Sequence, residues 1–171
     1  MKTDQQKRIF DEWLSTHRGV FFKVVRAYAA DPADRDDLFQ EIALQVWRSV
    51  PKYRGDCSVP TWIYRVSLYT AIAWSRRESN RVQGTEPLGD GHGALSEGSA
   101  LQDDRLKWLY DQIARLNPID RSVGLLLLDG YRYREIAEIL GITENHVGVK
   151  INRIKKHLTT QRMEDENHGI Q

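Results

Sequence analysis

Residues 134–156 read REIAEILGITENHVGVKINRIKK, and their spacing decides the fold. Ala137, Gly141 and Val147 stand in the A-x3-G-x5-V order of a helix-turn-helix. A small residue at Ala137 lets two helices cross closely, and Gly141 can take the left-handed conformation the turn requires. Ile142, Val147, Ile151 and Ile154 are placed to fill the wedge between the helices. Thr143 is a good N-cap for the second helix, which the pattern carries to about Thr160. On a helical wheel Val147, Ile151, Ile154 and Leu158 share one face, while Asn145, Val149, Asn152, Arg153 and Lys156 point the other way, flanked by His146, Gly148, Lys150 and Lys155. Amides suit adenine edges, an apolar side chain suits a thymine methyl, and Lys and Arg suit phosphates. The outward face therefore fits a major groove; the alternative is a helix-turn-helix used only for packing.

Working outward, helical spacing continues. Leu106, Leu109, Tyr110, Ile113 and Leu116 mark a helix starting near Asp103. Asn117-Pro118 is a cap followed by a restart, leading through the Leu run to a turn at Asp129-Gly130, and Tyr133 to Leu140 follows. Upstream, Gly84 to Gly98 reads GTEPLGDGHGALSEG, with five of the twelve glycines. Such a stretch cannot bury enough surface to balance its ordering entropy, so residues 78–102 are expected to be a flexible acidic linker. Before it, Ile9, Trp13, Val20, Phe21, Val24, Val25 and Tyr28 recur at helical spacing, with Gly19 a weak point. Asp31-Pro32 restarts a helix over about Asp34–Val50, whose apolar face is Leu38, Phe39, Ile42, Ala43, Val46, Trp47 and Val50. Pro51 ends it. A loop over 52–59 leads to a further helix from Pro60 to about Arg77. Sustained period-two alternation is missing, so the expected fold is all-α: two small helical domains, 1–77 and 103–160, a linker over 78–102, and a polar, fraying tail over 161–171.

Composition narrows the function. The 171 residues carry 25 Lys+Arg and 24 Asp+Glu, a net charge of +1 that hides an uneven distribution. From His146 to Arg162 there are five Lys and Arg and no acid, the footprint of a nucleic-acid surface or of a solvated helix face. Apolar runs reach four residues, as at Leu125–Leu128, too short for a membrane span or a signal sequence. With one cysteine, Cys57, no internal disulfide forms, and a reducing cytoplasm fits. There is no phosphate-cradling glycine loop and no nucleophile–base pattern, so neither an enzyme nor a cofactor is expected. Asp34, Asp36, Asp37 and Glu41 are conceivable metal ligands, but first-turn acids are better explained by the helix dipole, and no metal is expected.

Two further constellations stand out. Opposite the apolar face of the 34–50 helix lies a stripe of Asp37, Glu41, Leu44 and Arg48 with Gln40 beside it; it suits a protein partner or is a plain solvated face. Around the following loop, aromatics and bases interleave: Tyr53, Arg54, Trp62, Tyr64, Arg65, Tyr69, Trp74, Arg76 and Arg77. Tyr64 and Trp74 are assigned to the core. Trp62, Arg65, Tyr69 and Arg76 fall on or beside one stripe, as in proteins that stack single-stranded bases beside cations.

Together, DRDDLFQEIALQVWRSVPKYRGDCSVPTWIYRVSLYTAIAWSRR and LYDQIARLNPIDRSVGLLLLDGYRYREIAEILGITENHVGVKINRIKKHL resemble regions two and four of the sigma-70 family. With only a linker between them, the chain resembles an extracytoplasmic-function (ECF) sigma factor over about residues 5–160. The resemblance implies a cytoplasmic protein that binds bacterial core RNA polymerase, at the β′ clamp helices and the β flap, and directs it to promoter DNA. It implies that Asp37, Gln40, Glu41, Leu44 and Arg48 dock on the clamp helices. Tyr53, Arg54, Thr61, Trp62, Arg65, Tyr69 and Arg76 would read and melt the minus-ten element. Thr143, Asn145, His146, Val149, Lys150, Asn152, Arg153 and Lys156 would read the minus-thirty-five element. An anti-sigma factor is implied as a further partner. The chain departs from the family pattern at Tyr69 and Ala73, and at His146, Gly148 and Lys150 in the recognition helix. Two readings of other classes compete: a homodimeric helix-turn-helix repressor with residues 1–77 as an effector or dimerisation domain, and a metal-dependent nuclease built on the N-terminal acids.

Overall fold

The computed structural model describes residues 1–82 and 103–169. Among these residues there are eight α-helices, one 3-10 turn and no strand. The chain divides into two units whose boundary falls between the described segments.

In the first unit, α1 (Thr3–Thr16) and α2 (Arg18–Tyr28) are separated at His17, whose φ of −112° and ψ of 26° interrupt the helix. Gly19, the expected weak point, lies inside the first turn of α2. Pro32 occupies the first turn of α3 (Pro32–Ser49), where its missing N–H costs nothing. Arg35 Nε donates to the Ala29 carbonyl at 3.0 Å and closes the α2–α3 turn. A 3-10 turn (Val50–Lys52) follows, then α4 (Val59–Val82). Thus α4 takes in residues 78–82, which composition had assigned to the linker; the linker expected over 83–102 lies outside the described residues. Phe21, Val24, Leu38, Ile42, Val46, Ile63, Tyr64 and Leu68 are buried between α2, α3 and α4, and this burial holds the bundle together. Tyr64 and Trp74 are core residues, as expected.

In the second unit, α5 (Asp103–Ala114) packs on α6 (Pro118–Leu128), and α7 (Tyr133–Leu140) and α8 (Glu144–His168) form the helix-turn-helix. Asn117 caps α6 by accepting from the Asp120 N–H at 3.0 Å. Gly141 sits at φ 66°, and the Ala137 carbonyl accepts from both the Gly141 and Ile142 N–H groups. The Thr143 side chain accepts from the His146 N–H at 3.1 Å. Val147, Ile151 and Ile154 are buried, so the wedge forms as the spacing requires.

The tail, expected to be polar and fraying from residue 161, is helical as far as His168, the end of α8. Trp108 Nε1 of α5 donates to Asp165 Oδ2 at 2.8 Å, and Arg162 pairs with Glu166 one turn on. A polar composition reads as a loose end, but a single indole donor from α5 gives this extension a seat.

Gly148 lies inside α8, where a β-carbon would stand 3.9 Å from the Tyr133 ring, an ordinary contact. Gly148→Ala is expected to stabilise the second unit by about 0.5–1 kcal/mol, because a helix-interior glycine carries that entropic cost. Thermal unfolding of the two proteins checks this; a lower midpoint for the variant would show strain at that position.

Candidate nucleic-acid interface

The site on the second unit follows from the seating of α8. With Val147, Ile151 and Ile154 inward, Asn145, His146, Val149, Asn152, Arg153 and Lys156 are exposed, Val149 to 55%. Thr143 is exposed as well, with its side chain engaged in the cap. Hence Asn145, Val149, Asn152 and Lys156 share one outward strip, as the wheel required.

Lys150 and Arg153 differ from the rest. Lys150 Nζ lies 3.0 Å from Asp120 Oδ1, and Arg153 Nη2 lies 2.8 Å from Oδ2. Asn117 Nδ2 donates to Oδ2 at 2.9 Å. Asp120 projects from the first turn of α6, and among the described residues it alone of the carboxylates and cations is buried. The Lys150 side chain is 20% exposed, and that of Arg153 59%. Both cations were expected to face DNA; the structure instead ties them to α6 along one flank of the helix. Asp120 escaped the sequence reading. A signal existed, since an acid three residues after an Asn cap often closes a capping arrangement. Its two cations, 30 and 33 residues away, are set by tertiary packing.

In the first unit, Asp37, Gln40, Leu44 and Arg48 form an exposed stripe along α3, with Leu44 45% exposed. Glu41 is half-buried and ion-paired to Arg77 of α4, a partner the sequence did not suggest. The loop aromatics are more deeply embedded than the stacking pattern implied. Tyr53 packs edge-on against Trp13 at 5.3 Å and at a tilt against Trp62 at 5.6 Å, and its hydroxyl donates to the Cys57 carbonyl at 2.6 Å. Trp62 Nε1 donates to Ser49 Oγ at 3.0 Å. Ser58 caps α4: its Oγ accepts from the Thr61 N–H and donates to Thr61 Oγ1. Tyr53, Thr61 and Trp62 therefore shape the loop. Arg54, Tyr69 and Arg76 stand exposed, Tyr69 to 48%, and Arg65 is half-buried.

Among the described residues no three His, Cys, Asp or Glu side chains are grouped to hold a metal. Burial, then Glu78 and Asp31, push the Asp34 carboxyl above its ordinary value, which marks a crowded acidic corner at the start of α3.

Residues 13–81 match Sigma-70 region 2, and residues 106–158 match Sigma-70, region 4. The ECF RNA polymerase sigma-E factor of Escherichia coli K12 is 30% identical over 135 residues, covering 72% of this chain and 71% of that protein. The chain belongs to the ECF family of sigma-70 factors. The ECF RNA polymerase sigma factor SigX of Bacillus subtilis is 27% identical, over 80% of this chain and 78% of its own length. Two solved structures share the fold, each with a TM-score of 0.64. CnrH in complex with the cytosolic domain of CnrY is 19% identical and covers 93% of this chain and 90% of its own. RpoE in complex with the anti-sigma factor NepR from Bartonella quintana is 17% identical and covers 90% and 96%. This protein is thus a sigma factor that binds core RNA polymerase and directs promoter-specific transcription. The dimeric-repressor reading gains no support, since both matched segments are sigma regions in sigma order.

Burial pushes the Asp120 carboxyl of this sigma factor up, but hydrogen bonds from Lys150 and Arg153, with their charges, outweigh it and hold the pKa below the ordinary value of 3.8. The unfolded chain therefore takes up that proton at higher pH than the folded one. The stability Asp120 contributes is complete above the ordinary carboxylate range and is lost as pH falls through the depressed native value. Amide exchange in α8, corrected for the intrinsic pH effect, is expected to speed up as pH drops from about 5 to 3. Asp120→Asn should flatten that dependence; an unchanged profile in the variant would show that other carboxylates control it.

Proposed function

We propose that the two units divide promoter recognition between them. In this reading α8 enters the major groove of the minus-thirty-five element, with Asn145 and Asn152 on base edges, Val149 against a thymine methyl, and Lys156, His146 and Thr143 on the backbone. The observation that carries it is the exposed strip of two amides, one apolar side chain and one cation on the outer helix of a helix-turn-helix. The surface of α4 and its preceding loop, through Arg54, Arg65, Tyr69 and Arg76, holds the minus-ten element, where strand separation exposes bases to stack on Tyr69 beside cations. Tyr53, Thr61 and Trp62 contribute by fixing the loop. The α3 stripe of Asp37, Gln40, Leu44 and Arg48 docks on the β′ clamp helices, and Glu41 holds its edge through Arg77. The second unit contacts the β flap.

This reading makes the protein a non-enzymatic initiation factor acting in the cytoplasm, where its polymerase is. Among the described residues no helix is long and apolar enough to cross a membrane. An anti-sigma protein is a further partner in this reading, supported by the anti-sigma complex of Bartonella quintana RpoE.

Three substitutions test the division. Leu44→Lys should weaken association with core polymerase by roughly tenfold or more at unchanged helicity, the scale of an exposed apolar anchor at a protein interface. Tyr69→Ala should leave core binding intact and reduce open-complex formation by about 1–3 kcal/mol, the worth of one stacked base. Asn145→Ala should change discrimination in the upstream element by about 1–3 kcal/mol. Titration with labelled core enzyme, permanganate footprinting and promoter competition read the three effects separately. If Tyr69→Ala lost core binding instead, the division of surfaces would be wrong.

A further inference from the structure

Two of the five bases in the 146–162 stretch of α8 are drawn to one buried carboxylate in another helix. An exposed cation beside a groove reads no sequence; it attracts any phosphate and strengthens binding to all DNA alike. We propose that Asp120 is a positioning and specificity residue: by gripping Lys150 and Arg153 it fixes the roll of α8 and keeps two flank cations off the DNA backbone, so that the amide strip carries the choice of sequence. This rests on α8 being the duplex reader.

The geometry supports both halves of the claim. Positions 150 and 153 lie on one side of α8, between the buried wedge and the outward strip, so their bonds to α6 oppose rotation of the helix about its axis. Gly148, on the other flank, faces Tyr133 of α7 without a side chain of its own to lock that side. The hydrophobic wedge alone is non-directional and tolerates rotation by a fraction of a residue. Ion pairs of 2.8 and 3.0 Å to a carboxylate that also receives Asn117 do not, because hydrogen bonds weaken steeply with angle. Lys156 is exposed on the outward strip, and no ion pair among the described residues engages it.

The test uses holoenzyme reconstituted from full-length chain and core polymerase, selecting from a promoter duplex library randomised across the upstream element. Bound DNA is sequenced, and recovery is measured over a KCl series. Wild type is expected to enrich an upstream motif. Asp120→Asn should lower that enrichment by roughly tenfold, the scale of one base contact, while recovery of unselected sequences rises and its salt dependence steepens by about one to two, as freed cations meet phosphates. Lys150→Gln leaves Arg153 to hold Asp120 and decides the matter should Asp120→Asn lose helicity; it should weaken enrichment without flattening the salt dependence. Lys156→Gln is the contrast: the same motif, with salt dependence flatter by about one. Unchanged enrichment in both Asp120→Asn and Lys150→Gln would overturn the proposal, as would a Lys150→Gln salt slope as flat as that of Lys156→Gln. A wild type that enriches no upstream motif, or a Lys156→Gln variant that behaves as wild type, would instead remove the reading of α8 on which the proposal stands.

Discussion

Burial of Val147, Ile151 and Ile154 against the helix that precedes them is the constraint from which the DNA-facing surface follows. Because an α-helix has a fixed angular step, placing these three inward leaves Asn145, Val149, Asn152 and Lys156 outward. No separate device is needed to expose them. Gly141, in the left-handed region, sets the angle at which this happens, and the Ala137 carbonyl accepts both N–H groups that the turn would otherwise leave unpaired. The same logic governs α3. Leu38, Ile42 and Val46 are fully buried, so Asp37, Gln40, Leu44 and Arg48 face solvent.

Hydrophobic burial selects a face but sets its orientation loosely, and directional bonds supply the rest. In the second unit these are the Asp120 ion pairs with Lys150 and Arg153. In the first they are the Tyr53 hydroxyl on the Cys57 carbonyl, the Trp62 indole on Ser49, and the Glu41–Arg77 pair between α3 and α4. The Tyr53 bond closes the loop on itself, and the others each join a functional surface to the helix behind it. The functional surfaces therefore combine exposed side chains that read with half-buried ones that aim, and a substitution in either class changes promoter choice by a different route.

Much of this was legible in the residues alone. Periodicity located α3 to α8 and the helical run that His17 divides into α1 and α2, since burial of one face imposes a 3.6-residue repeat, and Pro32, Pro118, Thr143 and Gly141 marked starts and stops through local backbone chemistry. Regions two and four carry enough motif for the family to be recognised from the string. Contacts distant in sequence were not legible. Nothing local distinguishes Lys150 and Arg153, tied to Asp120, from Lys156, or Trp62, tied to Ser49, from Tyr69. The extension of α8 to His168 rests on Trp108, 57 residues from its partner Asp165, and polarity alone argued for a loose end. The break at His17 rather than Gly19 shows the converse: a glycine permits a helix to stop but does not require it.

This chain confers promoter choice on a polymerase it physically binds. Run-off transcription with purified core enzyme, on genomic fragments and with and without the full-length chain, tests it most directly. The chain is expected to co-elute with core, and discrete transcripts are expected to start from a small set of fragments only when it is present. Failure to co-elute, or transcripts identical with and without the chain, would contradict it.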